Sequence, residues 1–216
     1  EGEKILSRGE RIKKLEGMWT FFFYDNTKKK GILSRDRFGE KPLFYYHKND
    51  EFVFSSEIKT ISKILNRKLT VNTNKIEQFL RYGYRKLYKN NATYFKDILE
   101  FPRGCYFIIE DKKIIKKNYW EIKYEKNEDS EENNFKKIKE ALFKSIEIRL
   151  RSDFPIAFFL SGGIDSNSLA FIAKKYFGYN LKTYSIISSD PRYDESKMIN
   201  YANKHLGSDH TSLSLD

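Results

Sequence analysis

Pro155-Ile156-Ala157-Phe158-Phe159-Leu160-Ser161-Gly162-Gly163-Ile164-Asp165-Ser166 decides the fold of the second half of this chain. The solid apolar run Pro155–Leu160 reads as a buried strand, and the apolar pattern that resumes over Asn167–Phe177 reads as a helix. Between them, Gly162 and Gly163 let the backbone turn sharply and approach a ligand closely. Such a turn aims the free N–H groups of the new helix, and the positive end of its dipole, at whatever sits above the strand. Ser161 and Ser166 add hydroxyl donors. A carboxylate at Asp165 would repel a bare phosphate, so its fitting role is to hold Mg²⁺ beside a polyphosphate. No Lys follows the glycines, which excludes the usual P-loop with its GK[ST] ending. The plainer alternative is a Gly-Gly turn with a serine cap.

Outward from this loop, Lys182–Ser188 and His210–Leu215 read as further strands and Ser196–His205 as a helix. Strand–helix–strand–helix–strand implies a parallel sheet covered by helices. Ahead of it, Phe135, Ile138, Leu142, Ile146 and Leu150 make one apolar helical stripe. Residues 123–134 (KYEKNEDSEENN) are charged, rich in Asn and without apolar period, and read as a linker. The pattern before them is of another kind. Met18–Tyr24, Lys30–Ser34, Leu43–His47 and Phe52–Ser55 are short strand-like runs separated by turn signals, which predicts an antiparallel meander. A helix capped by Ser56 is expected over Glu57–Leu65, a second over Thr73–Tyr82, and the last turns of another over residues 5–16. Tyr94–Ile98, Gly104–Glu110 and Lys113–Trp120 read as extended. The fold class is therefore α+β followed by α/β, with a β-rich part over 1–122 and an α/β part over 135–216.

With 18 Phe and 15 Tyr the chain has apolar bulk for a core, which excludes a largely disordered protein. No run approaches the ~20 apolar residues that span a bilayer, so no membrane partner is expected. The net charge of +11 is spread along the whole chain. Nucleic-acid binders concentrate Lys and Arg on one face or arm, so a solvated basic surface is expected and no nucleic-acid partner. A single cysteine, Cys105, leaves no intrachain disulfide and no cysteine metal cluster, and places the chain in a reducing cytoplasm. The opening Glu1-Gly2-Glu3-Lys4 lacks an initiator Met and any signal-peptide pattern, and reads as the interior of a longer protein.

Several residues that could be taken for chemistry have simpler readings. Arg35-Asp36-Arg37, beside the turn formers Gly39 and Pro42, is expected to be an ion pair bracing a hairpin. Glu57 reads as a first-turn helix acid. His47, His205 and His210 lack partners at metal or triad spacing. Cys105 reads as a small buried apolar residue, and the aromatic run Phe21–Tyr24 as core.

Ser161-Gly162-Gly163-Ile164-Asp165-Ser166 after an apolar strand resembles the pyrophosphate-binding loop of ATP pyrophosphatases. More of the chain is similar to one family in that class, the glutamine-dependent asparagine synthetases. The matching segments are Leu15-Glu16-Gly17-Met18-Trp19, Ser34-Arg35-Asp36-Arg37-Phe38-Gly39-Glu40-Lys41-Pro42-Leu43, Ser56-Glu57-Ile58-Lys59, Pro102-Arg103-Gly104 and Tyr119-Trp120. They continue with Arg149–Pro155, Tyr193-Asp194-Glu195-Ser196 and Leu206-Gly207-Ser208-Asp209-His210, in the same order and over nearly the whole chain.

The resemblance implies an N-terminal-nucleophile glutaminase joined to a PP-loop synthetase domain of the adenine nucleotide alpha-hydrolase-like type. In such a glutaminase the first residue is a cysteine whose α-amino group acts as base. Here that position holds Glu1, so no catalytic residue of the glutaminase reaction is expected in this sequence. The resemblance further implies ATP and Mg²⁺ as cofactors, with glutamine, aspartate and ATP as substrates. Nucleotide contacts are expected at Leu160, Ser161, Gly162, Gly163, Asp165, Ser166 and Ile186, with Asp165 toward the metal. The implied reaction adenylates the aspartate side chain and lets ammonia displace AMP. A homodimer is one allowed assembly. Three alternatives stay open: a sibling that adenylates a different carboxylate, another ATP pyrophosphatase, and a non-catalytic basic binding protein.

Overall fold

The computed structural model describes residues 9–83, 90–111, 113–126 and 128–215. Glu1, the expected helical positions Ile5 and Leu6, linker residue Asn127 and Asp216 lie outside the described residues. The chain divides into two compact units, Glu1–Glu125 and Lys126–Asp216.

The first described element of this unit is a 3-10 helix, Gly9–Lys14, within the residues 5–16 expected as the last turns of a helix. Two antiparallel sheets follow. The first has the order β1 (Thr20–Asp25), β2 (Lys30–Arg35), β6 (Cys105–Glu110), β7 (Lys113–Asn118). The second runs β4 (Glu51–Ser55), β3 (Phe44–Lys48), β5 (Ile98–Glu100). Leu33, Cys105 and Phe107 of the first sheet meet Tyr45, Phe52 and Phe54 of the second around the fully buried Phe101. The Phe101 and Phe107 ring centroids are 4.3 Å apart, close enough for tilted aromatic packing. On its other face, the four-stranded sheet packs Ile32 and Tyr106 against Ile12 and Tyr119. Helix α1 (Ile58–Ile64) brings Ile61 against Tyr46 and Ile98 of the second sheet. Helix α2 (Thr73–Tyr82) is capped by the Asn72 side chain, which accepts from Lys75 N–H.

The expected four-strand meander is corrected here: β2 pairs with β6, and β3 pairs with β4 and β5 in the other sheet. Two buried side chains redirect the chain. The Asp36 carboxylate accepts N–H groups from Trp19, Phe38, Glu40 and Lys41, at 2.9–3.3 Å. The Arg35 guanidinium donates to the carbonyls of Gly39, Lys41 and Phe101. The loop after β2 wraps around both groups and leaves the sheet. The expected ion pair is corrected too: Arg35 pairs with Glu100 at 2.8 Å, and Arg37 donates to the Lys13 carbonyl. Asp36 serves the turn.

Smaller differences have local causes. Ser55 Oγ, not Ser56, accepts from Glu57 N–H ahead of α1, and Glu57 forms a surface ion pair with Lys59. Val71 and Phe95 form only an isolated bridge where a longer extended segment is expected over Tyr94–Ile98. β1 is a sheet edge, so Phe22 and Tyr24 stay exposed even though the Phe22 ring lies 4.9 Å from that of Phe54 in the second sheet, and Phe21, on the other face, joins a core cluster. The buried Cys105 thiol donates to Asn118 Oδ1 at 3.0 Å, and burial pushes its pKa up.

The second unit begins with α3 (Glu131–Arg149), capped by Ser130 Oγ accepting from Asn133 N–H. Residues 131–134, expected as linker, are therefore its first turn, because a serine cap and two leading glutamates favour a helix start there. β8 (Ala157–Phe159), α4 (Ile164–Phe177), β9 (Lys182–Ser188), α5 (Ser196–Leu206) and β10 (Asp209–Leu215) follow. The sheet is parallel, in the order β10-β9-β8. Ile146, Leu160, Ala170, Ile172, Ala173, Leu181 and Leu206 make its core. The α3 stripe is buried only at its end: Ile146 is covered, whereas Phe135, Ile138 and Leu142 are exposed. Residues 121–126 and 128–130 have no regular structure and are exposed. Limited proteolysis is expected to cut there before it cuts inside any of the three sheets.

Candidate functional site

The loop expected to bind phosphate sits between β8 and α4, at the carboxyl end of the parallel strands, where open α/β sheets hold ligands. Helix α4 starts at Ile164, three residues before the sequence reading, so Gly163 is its N-cap. Gly163 offers no side chain to its own helix, so no cap takes up the first N–H groups of α4. These donors and the dipole end suit an anion above the loop.

Gly162 has φ +72°, in the left-handed region. A Cβ built there would lie 2.9 Å from Met198 Cβ and 3.6 Å from the Glu195 carbonyl oxygen. The start of α5 therefore rests on the bare face of this glycine. No sequence feature of the loop announced that contact.

The two serines expected to offer hydroxyls to a ligand, Ser161 and Ser166, differ in their surroundings. Ser166 Oγ accepts from Ser161 N–H at 3.3 Å, donates to the Gly163 carbonyl and lies 3.1 Å from Ser161 Oγ. It braces the loop from inside, because a first-turn hydroxyl finds backbone partners within reach. Ser161 Oγ is left the outer hydroxyl of the pair. Asp165 is exposed in the first turn of α4.

Leu160 places its side chain in the core at 2% exposure, so only its backbone faces the loop. Its N–H donates to the Tyr184 carbonyl at 2.8 Å, and its carbonyl accepts from Ser185 Oγ at 2.6 Å. Ile186 is half-exposed on β9, past the last rung that β8 shares with it. Of the matched Tyr193-Asp194-Glu195-Ser196 segment, Asp194 accepts from Ser196 N–H and Oγ. These bonds hold its carboxyl below the usual carboxylate range and fix the start of α5.

Each of the three histidines has a local partner of its own. His47 packs edge-on against Phe52, His205 Nδ1 lies 2.8 Å from the Tyr201 carbonyl, and His210 Nδ1 lies 2.9 Å from Thr183 Oγ1. Among the described residues no cluster of three or more His, Cys, Asp or Glu could by itself hold a metal ion. A cation at Asp165 would have to share its shell with phosphate oxygens, which is how Mg²⁺ binds with one or two carboxylates. The exposed carboxylate beside uncapped N–H donors fits that arrangement.

Comparison with known proteins shows the family. The model of a glutamine amidotransferase domain matches residues 5–120, and that of asparagine synthase matches residues 137–216. A putative glutamine-hydrolysing asparagine synthetase 2 of Methanocaldococcus jannaschii is 36% identical over 87% of the chain, and an asparagine synthetase 1 of Bacillus subtilis 29% identical over 82%. An amidase, chyE, of Penicillium rubens is 31% identical over 74%. The chain spans 37%, 27% and 23% of the lengths of these three relatives. With a match to an amidotransferase domain followed by a match to asparagine synthase, the chain belongs to the glutamine-dependent asparagine synthetase family.

Proposed function

We propose that this chain serves the ATP-dependent, glutamine-hydrolysing formation of asparagine from aspartate. The observation that carries the reading is the β8–α4 loop, with uncapped N–H donors, a left-handed Gly162 and an exposed Asp165. The aspartate side-chain carboxylate attacks the α-phosphate of ATP, pyrophosphate leaves, and ammonia from glutamine then displaces AMP from β-aspartyl-AMP. The leaving group gathers negative charge on the β and γ phosphates, where fixed N–H dipoles stabilise it best. Leu160 and Ile186 flank the nucleotide at the strand ends, and Ser161, Gly162, Gly163 and Ser166 shape the pyrophosphate cradle. Bound Mg²⁺, held by Asp165 and phosphate oxygens, would neutralise the charge developing on the leaving group. The fold reading that goes with this is a PP-loop domain behind an N-terminal-nucleophile glutaminase. Cys105 takes no part in glutamine hydrolysis, since its thiol is buried, hydrogen-bonded and held protonated.

Asp165→Asn is expected to weaken Mg–ATP binding by about tenfold or more, because it removes a charged metal ligand. The exposed position predicts an unchanged melting temperature. Calorimetric titration beside a thermal melt checks both, and a matching loss of stability would make Asp165 structural. In turnover, the reading requires AMP and pyrophosphate, formed only with the acceptor carboxylate present; ADP and phosphate would exclude it. A second reading, adenylation of a different carboxylate, is supported by the similarity to an amidase. Aspartate-independent AMP release with another acid would favour it.

A further inference from the structure

Leu160 is the last residue of the strand that feeds the loop, and its carbonyl has an unusual partner. In a parallel ladder, a residue whose N–H reaches one carbonyl of the neighbouring strand returns its own carbonyl to the N–H two residues further on. Leu160 N–H reaches the Tyr184 carbonyl, so the next rung would join Ile186 N–H to the Leu160 carbonyl. That rung is not made: the β8–β9 register ends at Phe159↔Tyr184. The Ser185 hydroxyl takes the Leu160 carbonyl instead, at 2.6 Å, from a site with 1% exposure. β9 meanwhile continues to Ser188 with β10 on its other side. Among the described residues its edge from Ile186 onward, on the β8 side, pairs with no strand and borders the chain's departure into Ser161-Gly162-Gly163.

We propose that Ser185 is a positioning residue for nucleotide binding, whose hydroxyl ends the β8–β9 ladder one rung early. Two consequences follow from this single bond. The Leu160 carbonyl is satisfied without Ile186, so the buried acceptor costs nothing. The Ile186 N–H and carbonyl stay free for the edge of a planar heterocycle with its own donor and acceptor, as a purine base has. A hydroxyl is needed for this, because an apolar residue at 185 would leave the Leu160 carbonyl to recruit Ile186 N–H and zip the strands shut. The proposal rests on the nucleotide reading of the loop, but its first consequence concerns the strands alone.

The test uses backbone amide exchange by NMR and Mg–ATP titration on the same protein. In the wild type, Ile186 N–H is expected to exchange quickly and to become protected when Mg–ATP is added. In Ser185→Ala it should already be protected without nucleotide, with Mg–ATP binding about tenfold weaker, the worth of roughly one hydrogen bond. Ser185→Thr keeps the hydroxyl and should restore both readings toward wild type. Thr183→Val, two residues back on the same buried face, controls for simple loss of strand stability. It should lower the melting temperature without protecting Ile186. Wild-type exchange at Ile186 in Ser185→Ala overturns the proposal, as does unchanged Mg–ATP affinity in that variant. If the wild type itself fails to bind Mg–ATP, the nucleotide reading falls, and exchange at Ile186 still decides whether Ser185 ends the ladder.

Discussion

Gly162→Ala is expected to abolish measurable Mg–ATP binding and to lower the melting temperature. A Cβ at this position lies 2.9 Å from Met198 Cβ, an atom fixed to the backbone of α5 that cannot swing aside as a side-chain tip could. The alternative is to leave φ +72°, which refolds the loop. The left-handed conformation costs an alanine about 1–2 kcal/mol, and overpacking a further ~1–3 kcal/mol. Whichever path the protein takes, the loop and the start of α5 part from their present contact. Gly163→Ala is the contrasting variant. Its φ is −76° and the nearest atom to a new Cβ is Ser161 Oγ at 3.4 Å, so its stability cost should stay below about 1 kcal/mol. Thermal melts and Mg–ATP titrations of the pair check this. Equal melting temperatures for the two variants would mean that α5 does not hold the loop.

Asp36→Ala is expected to destabilise the first unit by about 3–5 kcal/mol, the range for breaking a buried charged network. The residue has no exposed surface, and the substitution strands the N–H groups of Trp19, Phe38, Glu40 and Lys41. Burial by itself would raise the Asp36 pKa, but the N–H donors of Glu40, Lys41, Trp19 and Phe38 together outweigh it and hold the carboxyl below its usual 3.8. A group with a depressed folded pKa gives its stability in full above the unfolded value and loses it as pH falls through the folded one. Stability of the wild type should therefore decline below about pH 4. In Asp36→Asn that part of the acid limb should flatten while stability at neutral pH drops. Denaturant melts between pH 2.5 and pH 7 in both proteins measure the difference, on the order of a few kcal/mol at neutrality. Parallel acid limbs would show that the Asp36 charge does not matter to the fold.

The fold classes, most element positions and the strand–Gly-Gly–helix order of the second unit were legible in the sequence by itself. They depend on local signals: period-2 and period-3.6 patterns, Gly and Asn at turns, and a strand–Gly-Gly–helix order that leaves few backbone paths. Lys182–Ser188 and Thr73–Tyr82 are observed with the bounds that the pattern predicts. Pairing partners were decided only by tertiary structure. Adjacent strand signals at β2 and β3 suggest a hairpin, yet buried Asp36 and Arg35 spend their hydrogen bonds on the intervening loop and send β3 to another sheet. The α3 stripe shows the same limit, since a helical period says which residues share a face but not which of them meet a partner. At the site, the residue types were readable, but Ser166 turning inward, Met198 against Gly162 and Ser185 on the Leu160 carbonyl were not. Each joins residues whose contact depends on how strands and helices stack, and side-chain chemistry along one stretch of chain carries no record of that stacking.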